Sequence, residues 1–156
     1  MSSSSKFCSA ITITHVSGLR SDLHTWALNN VIALDVSGDV VDTSFNRLIW
    51  SPQGHEVVVK PATQTVKKIA FATQDAKEVM IKVTWMDDSG KTFESKQTKP
   101  TKVVHWSSQP RDGGQWTAAD NGIPAHWSYT FVDLENLNSA HATTWTKVHS
   151  NGGGGP

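Results

Sequence analysis

The chain has 156 residues with 14 Lys plus Arg against 14 Asp plus Glu, so its formal net charge is zero and no strong field draws it to nucleic acid or to an anionic bilayer. That length suits one domain with a core large enough to fold without staples, and the single cysteine, Cys8, excludes an internal disulfide. Seven tryptophans against one tyrosine and five phenylalanines are the unusual feature, because an indole suits either a core that satisfies its N–H or a wet boundary such as a lipid headgroup layer or a sugar face.

From the N-terminus, Met1 and four serines precede Lys6, and residues 1–6 are expected to be disordered. They hold no apolar run that would serve as a signal-peptide core, and no segment is long enough and apolar enough to cross a bilayer as a helix. No Asn-x-Ser/Thr site occurs. The expectation is synthesis in the cytosol, with any release by an unconventional route and action at membranes.

Short alternating or β-branched segments then follow one another between turn signals, and no long window has helical apolar spacing. Strands are predicted at 10–16, 31–36, 47–50, 56–60, 66–72, 79–85, 91–96, 102–106, 127–132 and 143–149, while Asp22 to Asn30 is ambiguous and accommodates a helical turn. Ser17-Gly18, Ser37-Gly38-Asp39, Pro52-Gln53-Gly54, Asp87-Asp88-Ser89-Gly90, Asp112-Gly113-Gly114 and Asn121-Gly122 supply the breaks. The clearest hairpin is Val79 to Lys96, whose first arm alternates Val79, Ile81, Val83 and Trp85 with Met80, Lys82, Thr84 and Met86, which makes Trp85 a core residue. The fold class is all-β, a single-domain sandwich of about ten mostly antiparallel strands over residues 7–150. Residues 151–156, with four glycines, read as a disordered tail.

No catalytic signature competes with the tryptophans. The seven histidines lack the close pairings of a zinc site, His55-Glu56 lies in a strand, and the serine elbow and phosphate loop are missing. Asp87-Asp88 belongs to a turn, where aspartate is favoured for backbone reasons. The expectation is therefore a non-enzymatic protein without metal or cofactor; a hydrolase would need histidines or carboxylates from different strands to meet in a cleft. Lys96, Lys99 and Lys102 around Pro100 form the only local basic excess, and they are expected to blunt an edge strand rather than to bind nucleic acid.

The segment from Val103 onward differs in character. Trp127, Tyr129 and Phe131 share one face of a strand, and the plain reading of that face, for Phe131 above all, is the sandwich core. Trp116 is flanked by Asp112, Gly113 and Gly114 on one side and Asp120, Asn121 and Gly122 on the other, which places it in or beside a loop. Trp106 ends a strand close to Arg111 and Asp112, so indole, guanidinium and carboxylate are near one another in sequence. Trp26, Trp106 and Trp116 are thus the candidate aromatic contacts, and Arg111 and Asp112 the polar ones, for a zwitterionic headgroup or a sugar.

The run Val103-Val104-His105-Trp106, then Trp116-Thr117, Trp127 with Tyr129, Asn136-Leu137-Asn138-Ser139-Ala140 and a closing Thr144 to Val148 strand resembles the aegerolysins, and Ile11 to His15 is similar to their first strand. The turn-like Asn136 to Ala140 motif is part of that resemblance, whereas residues 35–100 carry none of it. The resemblance implies an actinoporin-like β-sandwich that binds membrane lipid, sphingolipid- or sterol-rich, as a cytolysin component acting with a larger pore-forming protein partner. The other reading is a cytosolic lectin of fungal fruiting-body type with a glycan as its partner.

Overall fold

The computed structural model describes residues 6–17, 27–42, 47–49, 56–73, 76–104 and 128–144. Among them are eleven β-strands and no helix: β1 (Lys6–Ser17), β2 (Ala27–Leu34), β3 (Val40–Asp42), β4 (Arg47–Ile49), β5 (Glu56–Val59), β6 (Lys68–Thr73), β7 (Glu78–Asp87), β8 (Thr92–Lys96), β9 (Thr101–Lys102), β10 (Ser128–Asp133) and β11 (Asn136–Thr144). Every pairing is antiparallel. One sheet runs β5-β1-β7-β8 with β9 also on β7, and the other runs β11-β10-β6-β2-β3 with β4 also on β2. The molecule is all-β, two antiparallel sheets stacked as a sandwich.

The alternation expected in β7 is present: Val79, Ile81, Val83 and Trp85 are buried and the residues between them are half-buried. With Ile11 and Ile13 from β1 they face Val31, Ala33, Ile69, Phe71, Val132 and Leu134 of the second sheet across the main core. Trp85 is 1% exposed, and its indole N–H donates to Ser95 Oγ at 3.1 Å, so the one polar atom of that ring is satisfied. The outward residues of β1 and β7 are half-buried, whereas β6 is buried from Ile69 to Thr73, on both faces. The outer face of the second sheet carries its own apolar cluster of Ile32, Leu34, Ala70 and Tyr129, with Val40 and Phe131 packed against it.

Several expectations are corrected. Ala27 to Asn30 form no helical turn; they open β2, where Leu28 and Asn29 pair with Thr73 and Ala72 of β6, and residues 22–26 lie outside the described residues. β2 ends at Leu34, and Val36 stands in the following turn at 72% exposure. Asn136 to Ala140 are strand, and the turn before them is Leu134-Glu135. Tyr129 and Phe131 do share a face, but it is the outer face of the second sheet, and it is Val132 that enters the core between the sheets. A strand with apolar residues on both faces gives no sequence signal for which face is inside. β1 starts at Lys6, opposite Asp87, one residue before the expected start of the domain.

β8 and β9 are one edge strand interrupted at 97–100, as both pair with the same side of β7. Gln97 fills the interruption. Its backbone N–H donates to Ile81 O at 3.0 Å, its side-chain Oε1 accepts from Ile81 N–H at 2.9 Å, and its Nε2 donates to Leu137 O at 2.8 Å and to Thr101 Oγ1. A side chain thus replaces a missing rung of the ladder and ties β7 to β11 of the other sheet. Thr98 N–H adds a bond to Asn138 Oδ1 at 3.0 Å. Lys96 and Lys102 sit on this edge, as their sequence context predicts.

Candidate functional site

The two ends of the sandwich differ in composition. At one end are tight turns that open with aspartate. Asp35 Oδ1 accepts from the N–H groups of Ser37 and Asp39, both at 2.9 Å; Asp87 Oδ1 accepts from Ser89 and Lys91 N–H and from the Ser89 hydroxyl; Asp133 Oδ1 accepts from Glu135 N–H. The Ser89 hydroxyl, chiefly, with the neighbouring backbone N–H groups, holds the Asp87 carboxyl below its usual range. Each of these three carboxylates caps its turn through one oxygen, Oδ1.

At the other end the register gathers the C-termini of β1, β4, β6 and β11, the N-termini of β2, β5, β7 and β10, and the exit from β9. A crossing joins the sheets there: Val103 N–H donates to Lys77 O at 3.1 Å, Val104 N–H to Thr130 Oγ1 at 2.9 Å, and Thr73 N–H to Val104 O at 2.9 Å. Buried Thr73 adds its hydroxyl to Val104 O and to Ala76 O. The hydroxyls of Thr73 and Thr130 are in this way what lets an apolar core end in satisfied backbone.

The expected site residues Trp26, Trp106, Arg111, Asp112 and Trp116 all lie outside the described residues, as do Trp50, Trp127 and Trp145. Residues next to four of these tryptophans are described. Trp26 precedes Ala27 and Trp127 precedes Ser128, while Trp50 follows Ile49 and Trp145 follows Thr144. Trp106 stands two residues beyond Val104, and Trp116 belongs to the segment between Val104 and Ser128. The strand ends beside four of them are Ala27, Ile49, Ser128 and Thr144. All of those strand ends are at the crossing end of the sandwich.

A second feature has no counterpart in the sequence reading. On the outer face of the second sheet a groove of about 310 Å3 is lined by Lys68, Phe131, Asp133, Ser139, His141 and Thr143. Lys68 is opposite Asp133 between β6 and β10, Phe131 is opposite His141 between β10 and β11, and Tyr129 is opposite Thr143. A register shift after Phe131 bulges β11 and brings Ser139 to the rim. These residues come from three strands with no motif spacing, so only the register reveals them together. Among the described residues no cluster of three His, Cys, Asp or Glu side chains is placed to hold a metal ion. Cys8 is buried, and burial pushes its thiol up to about 12, which keeps it protonated and unreactive.

No protein-family model, no curated protein and no solved structure matches the chain.

Proposed function

We propose that this protein is a non-enzymatic lipid-binding sandwich that docks on a membrane, sphingolipid- or sterol-rich, by the end at which its tryptophan-bearing segments begin and finish. The observation that carries this reading is the register: the strand ends next to Trp26, Trp50, Trp127 and Trp145, and Val104 just before Trp106, converge on one end of the molecule. Indole rings are favoured at the headgroup level, where an apolar body and one N–H donor are both accommodated. Arg111 and Asp112 would supply the two charges a zwitterionic headgroup matches. The resemblance to aegerolysins of Trp106, Trp116-Thr117 and Trp127 points the same way, and on that reading a larger pore-forming protein is the expected partner.

The test is tryptophan emission and co-sedimentation with vesicles of sphingolipid, sterol and glycerophospholipid mixtures. Binding with a blue shift is expected, and Trp106→Ala, Trp116→Ala and Trp26→Ala should each diminish it by several-fold or more, since each deletes a large buried contact. Failure to sediment with every mixture would overturn the reading.

A further inference from the structure

We propose that the groove on the outer face of the second sheet binds a single neutral pyranose ring. This inference does not rest on membrane docking: its charged groups, Lys68 and Asp133, stand at the strand ends opposite to the crossing end, while Thr143 reaches toward that end. It rests on the chemistry of the groove.

The apolar cluster of Ile32, Leu34, Ala70 and Tyr129 runs out at Phe131, which is half-buried and meets Tyr129 edge-on at 6.3 Å and 88°. The phenyl ring lines the groove and gives it an apolar wall against which the C–H groups of a sugar can pack. Around it stand both signs of charge. Among the described residues the Lys68 ammonium has no ion-pair partner, even though Asp133 is its cross-strand neighbour at a Cα separation of about 5 Å. Asp133 Oδ1 accepts from Glu135 N–H at 3.0 Å, which keeps Oδ2 for a ligand. A donor and an acceptor side by side fit two adjacent hydroxyls, each of which donates and accepts, better than they fit an anion or a cation alone.

His141 extends the acceptor set. Its Nδ1 is 3.0 Å from Ser139 O; because a carbonyl only accepts, Nδ1 carries the proton in the neutral ring and Nε2 is left as an acceptor. The Ser139 hydroxyl donates to Asn136 O at 2.7 Å and keeps its lone pairs, and Thr143 supplies a further hydroxyl. The volume of about 310 Å3 is at the small end of ligand pockets, which run from roughly 300 to 1,000 Å3, so it suits one ring and not an extended chain.

The ring could be carried by a soluble glycan or by a glycolipid, and one experiment separates these sources. The intact protein is titrated with methyl pyranosides of the common hexoses and N-acetylhexosamines by ligand-observed NMR, and in parallel with vesicles with and without a glycolipid bearing the same sugars. Lys68→Met keeps the aliphatic stem and Asp133→Asn keeps an acceptor for Glu135 N–H, so both should fold, which circular dichroism checks. Saturable binding to a pyranoside, weakened about tenfold or more in both variants, supports the groove and a soluble source. Binding to glycolipid vesicles alone, lost in both variants, supports the groove and a lipid source. No response to any sugar in either form overturns the proposal, as does sugar binding undiminished in both variants. Attachment to sugar-free vesicles reports only on the tryptophan end and should be equal in wild type and both variants.

Discussion

At the residue scale, one glutamine decides how the first sheet ends. Gln97 is 4% exposed and answers both Ile81 N–H and Leu137 O, one on each sheet. Gln97→Leu would fill the same space yet leave a buried donor and a buried acceptor unpaired. The expected cost is about 3 kcal/mol in urea unfolding, because each orphaned group forfeits its solvation without replacement; a loss under about 1 kcal/mol would show that the side chain is not the link between the sheets. Cys8 makes a second prediction, in pH. Its thiol has an ordinary value of 9.0 and is raised to about 12 in the folded protein, chiefly by burial and against the pull of a backbone hydrogen bond at Ala10 and of Lys67. The folded state therefore holds this proton more tightly than the unfolded chain does. Stability from this source is complete below about pH 9 and is lost as pH rises toward 12. Cys8→Ala should flatten that alkaline decline, and in the wild type a thiol reagent at neutral pH should react only after denaturation.

At the element scale, two hairpins share a turn that the sequence writes twice, Asp35-Val36-Ser37-Gly38 and Asp87-Asp88-Ser89-Gly90. In both, glycine has φ of 87° and donates its N–H to the aspartate carbonyl at 3.0 Å. A Cβ on either glycine would meet nothing within 4 Å, so the cost of alanine is the backbone conformation alone. Gly38→Ala and Gly90→Ala should each destabilise by about 1 kcal/mol, equally within error, in thermal unfolding. Asp87 adds an acid limb. Its carboxyl is held low when folded, so the stability it contributes is present above the ordinary aspartate value and is lost as pH falls through the folded one. Asp87→Asn should make the melting temperature less sensitive to pH on the acid side, and an unchanged slope would remove the turn as its source. These turns and the β7–β8 hairpin were legible because glycine, aspartate and a period of two are local signals. β11 was not. Between Asn136 and Thr143 only Leu137 is buried, so the strand exists through its pairing with β10 and not through a pattern of its own. β3, three residues long, is below any periodicity.

At the scale of the whole molecule, the sandwich is polarised by chemistry that no single segment displays. Local reading placed Trp26, Trp106 and Trp116 near turns, and it could not show that the strands beside them point to one end, because that depends on which strand neighbours which. The groove was hidden for the same reason: Lys68 and Asp133 are 65 positions apart in sequence, from 133 − 68, yet adjacent across a ladder. On the membrane-docking reading proposed above, a molecule with aspartate turns at one end and strand ends that lead into tryptophan-bearing segments at the other would meet a bilayer in one orientation, through indoles and not through charge. Equal numbers of acidic and basic residues leave no net field to steer it. Adsorption by a basic patch weakens steeply with salt as the Debye length shrinks from about 10 Å at 0.1 M to about 3 Å at 1 M. Adsorption by indoles does not. Vesicle affinity should therefore change by less than about twofold across that range of salt, read by co-sedimentation. A fall of an order of magnitude or more would mean that the lysines, and not the tryptophans, make the contact.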